Sequence, residues 1–115
     1  NVGKLSKKVK IIAEGANGPI NTLADEIVRD SGIFVIPDFL CNAGGVTCSY
    51  FEQVQSNANF YWEKDEVLQK LDTKMTSAFN AVYELAVNKG LKMRDAAYVI
   101  AINRVAQAVK SRGWV

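Results

Sequence analysis

The sequence predicts an α/β fold: one parallel βαβ unit followed by three helices. Three observations carry that expectation. Two short runs rich in β-branched residues, at 9–13 and 33–36, read as buried strands. A segment with apolar residues at helical spacing lies between them. From Asn42 onward the apolar residues recur at helical spacing to the end of the chain.

The first strand, Val9-Lys10-Ile11-Ile12-Ala13, is ended by Glu14-Gly15. Residues 15–19 then hold two glycines, an asparagine and a proline, which is loop chemistry. Leu23, Ala24, Ile27 and Val28 mark a helix face, with Asp25 and Glu26 near its positive end. Asn21 or Thr22 can cap this helix, and Gly32 ends it. The second strand, residues 33–36, is closed by Pro37-Asp38. Strand, helix and strand fill about 28 residues, the size of one βαβ unit, so the strands should run parallel with a right-handed crossover. Both strand ends then open on one sheet edge, where ligands bind in open α/β sheets.

Val46, Tyr50, Phe51 and Val54 mark one face of the next helix, which breaks near Ser56-Asn57. An aromatic connector, Asn59-Phe60-Tyr61-Trp62, leads to a long helix striped by Val67, Leu68, Leu71, Met75, Ala78, Phe79, Val82, Leu85 and Ala86. Lys89-Gly90 signals its end. The last helix carries Ala97, Ile100, Ala101, Val105, Ala108 and Val109, and Lys110, Arg112 and Gly113 finish it. The whole of 1–115 is one domain, with the βαβ unit at about 9–37 and the helices at about 42–112. Parallel sheets are normally wider than two strands and covered on both faces. The chain therefore reads as the truncated half of a larger domain.

The chain's 115 residues are 49% hydrophobic and 23% charged, the balance of an ordinary globular domain able to bury a core. Its net charge of +2 comes from 14 basic and 12 acidic residues that are interspersed. The densest basic stretch, residues 4–10, reads as a solvated face, and no nucleic-acid footprint is present. No apolar run approaches the roughly 20 residues of a membrane span, so no membrane role is expected. The two cysteines, Cys41 and Cys48, are too few for a structural zinc site and suit small buried hydrophobes in a reducing compartment. There is no histidine, which excludes imidazole chemistry within the chain.

Two loops at the strand ends carry the candidate chemistry. In Glu14-Gly15-Ala16-Asn17-Gly18-Pro19, small residues let a flat ligand approach the backbone, and Asn17 offers both a donor and an acceptor. The plainer reading is a tight turn with Asn17 bonded to its own backbone. In the second loop, at residues 38–46, Gly44-Gly45 opens a helix although glycine weakens helices by about 1 kcal/mol per residue. Close approach of something planar would justify that cost. Asn42 can pair its carboxamide with an amide on such a ligand, or simply cap the helix. Ser49 can donate to a carboxylate, although a helical serine is most often inert or bonded to the preceding turn. A complete Gly-x-Gly-x-x-Gly fingerprint is absent.

Several ordered motifs resemble the glutamate dehydrogenase family over nearly the whole chain. They are Ala13-Glu14-Gly15-Ala16-Asn17-Gly18-Pro19, Pro37-Asp38-Phe39-Leu40, Asn42-Ala43-Gly44-Gly45-Val46-Thr47 and Ser49-Tyr50-Phe51-Glu52. The ending, Arg94-x-Ala96-Ala97-Tyr98 through Arg104-Val105-Ala106 to Arg112-Gly113-Trp114, is similar to that family's last helix. The resemblance implies a partial Rossmann-like fold, the C-terminal half of an NAD(P)-binding domain plus the C-terminal helices. It implies reversible NAD(P)-dependent oxidative deamination of L-glutamate to 2-oxoglutarate and ammonia in the cytoplasm, by a hexameric parent enzyme. Carried over residue by residue, Asn17 contacts the nicotinamide ribose region, Asn42 holds the nicotinamide carboxamide, and Gly44 and Gly45 give the ring room. Val46 and Ser49 face the substrate side chain, with the Ser49 hydroxyl on the γ-carboxylate.

Leucine, phenylalanine and valine dehydrogenases share the Asn-Ala-Gly-Gly element, and a polar donor at Ser49 favours the dicarboxylate over their apolar substrates. A leucine-, phenylalanine- or valine-type dehydrogenase fragment and a non-catalytic nucleotide-binding module are the competing readings. The chain departs from the family at Ile20-Asn21-Thr22-Leu23-Ala24, where Thr-Thr-Pro-Glu-Ala is usual, and at Cys41 and Cys48. The resemblance places the family's catalytic lysine and aspartate, its phosphate loop and its NAD/NADP selector upstream. No catalytic residue is therefore expected in this chain, and no turnover from it alone.

Overall fold

A computed structural model describes residues 1–113; Trp114, part of the family-like ending, lies outside the described residues. After a single 3-10 turn at Val2–Lys4, strand β1 (Ile11–Ala13) leads through the 15–19 loop to helix α1 (Thr22–Asp30) and strand β2 (Phe34–Ile36). A four-residue helix α2 (Asp38–Cys41) passes directly into α3 (Ala43–Ala58), followed by α4 (Lys64–Lys89) and α5 (Met93–Ser111). The two strands pair in parallel, with Ile11 opposite Phe34 and Ala13 opposite Ile36. The predicted βαβ unit is present, with a first strand two residues shorter than expected at its start.

The end signals act where the sequence places them. Asn21 accepts a hydrogen bond from the Ala24 N–H at 2.9 Å, capping α1. Gly90, at φ +62°, closes α4 in the left-handed conformation that spares glycine a Cβ clash. Asn59, at φ 51°, does the same for α3. One element is unexpected: residues 38–41, read as loop, form the helical turn α2, so helical backbone begins at Asp38 rather than Asn42.

The core lies between β2, α4 and α5. Leu40, Val82, Ala86, Met93, Ala96 and Ala97 form its buried centre, with Phe34, Ile36, Phe39 and Phe79 packed against it. On the other side of the sheet only Val28 of α1 is buried, and Leu23, Ile27 and Ile11 stay exposed. The stripe predicted for α5 is covered mainly in its first half: Ala97 is buried and Ile100 half-buried, while Ala101, Val105 and Ala108 face solvent and Val109 near the end is half-buried. Cys41 and Cys48 are free and half-buried rather than fully buried. Among the described residues, no helix is long and apolar enough to cross a membrane, and no cluster of three or more metal-ligating side chains is present.

Candidate functional site

At the carboxyl ends of both strands the chain turns sharply, and the two turns meet. Asn17, in the loop after β1, and Asn42, at the junction of α2 and α3, approach so that Asn42 Nδ2 donates to Asn17 Oδ1 at 2.7 Å. That bond decides between the readings left open by the sequence. Asn17 does not fold onto its own backbone, and the Asn42 side chain makes no cap bond although it occupies the N-cap position of α3. The exposed pair keeps one carbonyl oxygen as acceptor and further N–H groups as donors. A primary carboxamide ligand requires that complement.

Asn42, Val46 and Ser49 follow one another at steps of four and three, so they share one face of α3 and span about 10 Å along it. Val46 is 70% exposed. Ser49 is also exposed, and its hydroxyl has no partner among the described residues. Thr47, by contrast, bonds back to the Ala43 carbonyl at 2.8 Å. The two glycines between Asn42 and Val46 differ in setting. A Cβ on Gly44 would point to Leu71 Cδ1 of α4 at 4.0 Å, whereas a Cβ on Gly45 would meet nothing within 4 Å. Gly45 lies on the open side and Gly44 toward α4.

A network of charges that the sequence reading did not single out holds the two turns together. Glu14 ends β1 with its side chain 1% exposed, and its carboxylate accepts from the Asp38 N–H at 2.9 Å and from Arg94 Nη2 at 2.5 Å. Arg94 Nη1 reaches Asp38 Oδ1 at 3.0 Å, and Arg94 Nε stands 3.7 Å from Asp25. Asp38 Oδ2 accepts the Gly18 N–H at 2.8 Å, one residue from Asn17. The Gly18 N–H, then the Phe39 N–H and the Arg94 charge, hold the Asp38 carboxyl below its ordinary range against the opposing effect of burial. Neighbouring carboxylates, Glu14 first, push the Arg94 guanidinium up in spite of its burial. The signal available from sequence was the pairing of Glu14 and Asp38 at matched strand ends with one arginine near the start of the last helix.

Two cavities flank this shelf without including Asn17 or Asn42. One of about 350 Å³ lies between α1, β2 and the start of α5. Another, of about 610 Å³, lies between the N-terminal turn and α1. The carboxamide pair and the open face of α3 form an exposed edge rather than a pocket.

Residues 1–113 match the family described as Glutamate/Leucine/Phenylalanine/Valine dehydrogenase. An NAD-specific glutamate dehydrogenase of Staphylococcus aureus (strain COL) is 49% identical over 107 residues, which are 93% of this chain and 26% of that protein. The chain thus spans about a quarter of the length of the curated relatives it matches. Among solved structures, glutamate dehydrogenase from Peptoniphilus asaccharolyticus superposes with TM-score 0.84 at 38% identity, covering 92% of this chain and 27% of that one. The hetero-hexameric glutamate dehydrogenase from Thermus thermophilus, in its Leu-bound form, gives 0.86 at 30% identity, covering 96% and 28%. These neighbours share the partial Rossmann-like α/β arrangement described above.

Proposed function

The chain belongs to the Glutamate/Leucine/Phenylalanine/Valine dehydrogenase family, and from that premise we propose that it is the nicotinamide-holding and substrate-facing C-terminal part of an NAD(P)-binding domain in a longer glutamate dehydrogenase. The observation that carries this reading is the Asn17–Asn42 pair, set 2.7 Å apart at the two strand ends. Its unused acceptor and donors match the nicotinamide carboxamide, and an open, helical Gly45 leaves space for the ring beside it. Gly44 lies on the α4 side, where a Cβ would make an ordinary contact with Leu71.

Bound NAD would supply the hydride acceptor for oxidation of the amino acid. NAD is favoured because the curated relatives are named NAD-specific, with NADP as the alternative. The residues of this chain bind and orient. Asn42 fixes the ring, Asn17 holds Asn42 and the adjoining ribose, and Val46 and Ser49 line the path of the substrate side chain. The Ser49 hydroxyl, unpartnered and exposed, is suited to the γ-carboxylate of glutamate. Glu14 and Asp38, the carboxylates beside the asparagine pair, are both held by Arg94, which makes them poor bases for the substrate amine. In this reading proton transfer belongs to groups elsewhere in the longer enzyme. The half-buried, free cysteines suit a cytoplasmic setting, and a hexameric parent is the expected assembly.

NAD⁺ titrated into the ¹⁵N-labelled chain tests the reading. Shifts are expected at the Asn17 and Asn42 side-chain amides and the Gly45 N–H, and Asn42→Ala should abolish them. Saturating NAD⁺ that moves none of these resonances sinks the proposal. No glutamate-dependent NADH formation is expected from the chain alone. In the longer enzyme, Ser49→Ala should raise KM for glutamate at least tenfold and leave NAD⁺ affinity unchanged.

A further inference from the structure

Arg94 touches neither carboxamide, yet the bonds that place both of them converge on it. It is the second residue of α5 and stands among carboxylates from three separate segments: Glu14 after β1, Asp25 in α1 and Asp38 at the start of α2. Asp38 is the relay. Its carboxylate takes the Gly18 N–H beside Asn17, and its carbonyl accepts the Asn42 N–H at 2.8 Å. Glu14 completes the frame by accepting the Asp38 N–H. Ion pairs that are largely buried, as these are, can be poor sources of stability compared with apolar packing. A planar guanidinium with fixed donor directions does supply geometry, because it can hold two carboxylates at set angles where an ammonium acts as a point charge.

We propose that Arg94 is a positioning residue for the Asn17–Asn42 pair, acting through Asp38 and Glu14, so that the attachment of α5 sets the geometry of the nicotinamide shelf. The consequence for cofactor rests on the function proposed above, whereas the effect on the two asparagines does not. The last helix is thereby coupled to a ligand edge formed by the first half of the chain. A change in how α5 seats is expected to reach the cofactor through Asp38.

The experiment follows the Gly18 backbone N–H and the Asn42 side-chain amide in ¹⁵N spectra of the chain, together with hydrogen exchange at Gly18. Arg94→Lys keeps the charge and loses the fork. It is expected to shift both resonances, to speed Gly18 exchange at least tenfold, and to weaken NAD⁺ binding at least fivefold. Asp38→Ala, which leaves the Arg94–Glu14 pair in place, should move the same resonances and covers the case in which Arg94→Lys fails to fold. Ala97→Gly destabilises the core beside α5 without touching the network and should leave both resonances at their wild-type positions. The proposal is overturned if folded Arg94→Lys or Asp38→Ala leaves them unmoved. It is equally overturned if Ala97→Gly moves them as far, since the role of Arg94 would then be general support. A wild-type chain that ignores NAD⁺ sinks the proposed function alone, and the Gly18 and Asn42 readouts then decide the role of Arg94 by themselves.

Discussion

Glycine at position 45 costs α3 about 1 kcal/mol relative to alanine, and nothing in the packing of this chain recovers it. Its backbone is helical, and a Cβ would enter open space. Gly45→Ala is therefore expected to raise the urea-unfolding stability of the isolated chain by about 0.5–1 kcal/mol while lowering NAD⁺ affinity. A residue whose removal helps the fold and harms binding is placed there for the ligand; a Gly45→Ala chain that is more stable and binds NAD⁺ equally well would show the glycine to be incidental. Arg94 gives the opposite sign. Arg94→Met strands the Glu14 carboxylate, which is buried, with one backbone N–H for company, and should cost about 3 kcal/mol. Asp38 adds a pH dependence. Its carboxyl titrates below the ordinary range in the fold, so its contribution is complete above the unfolded value near pH 4 and is lost as pH falls through the lower folded value. The stability gap between the wild type and Asp38→Asn should hold steady from pH 7 to about 5 and close below about pH 4 in urea titrations. At this scale the sequence pointed to Asn17 and Asn42, whose side chains the fold brings together, because asparagines beside glycines at strand ends stand out locally. It hid Arg94, whose significance lies in a partner 80 positions away that no local pattern reveals.

Helix α3 shows where periodicity misleads at the scale of an element. The periodicity puts Val46 and Tyr50 on one face with Phe51 and Val54, but in the fold both are exposed while Phe51 is buried. The covered face runs through Gly44, Thr47, Cys48, Phe51, Val54 and Gln55, mostly small or polar residues that a hydrophobicity count passes over. Gln55 is its anchor. The buried side chain donates to the Phe51 carbonyl at 3.2 Å and accepts the Trp62 N–H at 2.6 Å, tying the end of α3 to the aromatic connector. Trp62 then meets Phe51 edge-on at 5.8 Å, with the Lys70 ammonium over its ring. Gln55→Leu keeps the volume and removes the acceptor, so the Trp62 N–H is left unpaired. A loss of about 1–3 kcal/mol is expected, together with a change in Trp62 fluorescence ahead of global unfolding. If Gln55→Leu is neutral, the connector is held by its rings alone. The long helix α4 was legible because it packs on a broad apolar stripe and ends on a left-handed glycine; α3 was legible as a helix, and its inward face at Phe51 and Val54, but the rest of that face is small and polar.

The molecule as a whole is spread out. Its radius of gyration is 17.1 Å, against about 13 Å for a compact domain of this length. Its accessible surface is 8587 Å², against about 6200 Å² for a compact monomer of its mass. Large apolar side chains share in that exposure. Ile102 and Val105 on the outer half of α5 are each 64% exposed, and Leu23, Ile27 and Ile11 line the uncovered side of β1 and α1. Patches of this kind drive association, and the outer edge of β1 adds unpaired strand backbone. Sedimentation at rising concentration should show the isolated chain self-associating. Ile102→Glu and Val105→Glu together should reduce that association while leaving stability within about 0.5 kcal/mol of wild type, since both side chains are mostly exposed. In a longer dehydrogenase that covers α5, the same pair of substitutions should instead cost several kcal/mol, by placing two charges in an apolar contact. Opposite outcomes in the two settings would identify the outer half of α5 as a face that the rest of the enzyme packs against. A double variant that is equally harmless in both would show that this half of the helix stays in solvent even in the assembled protein.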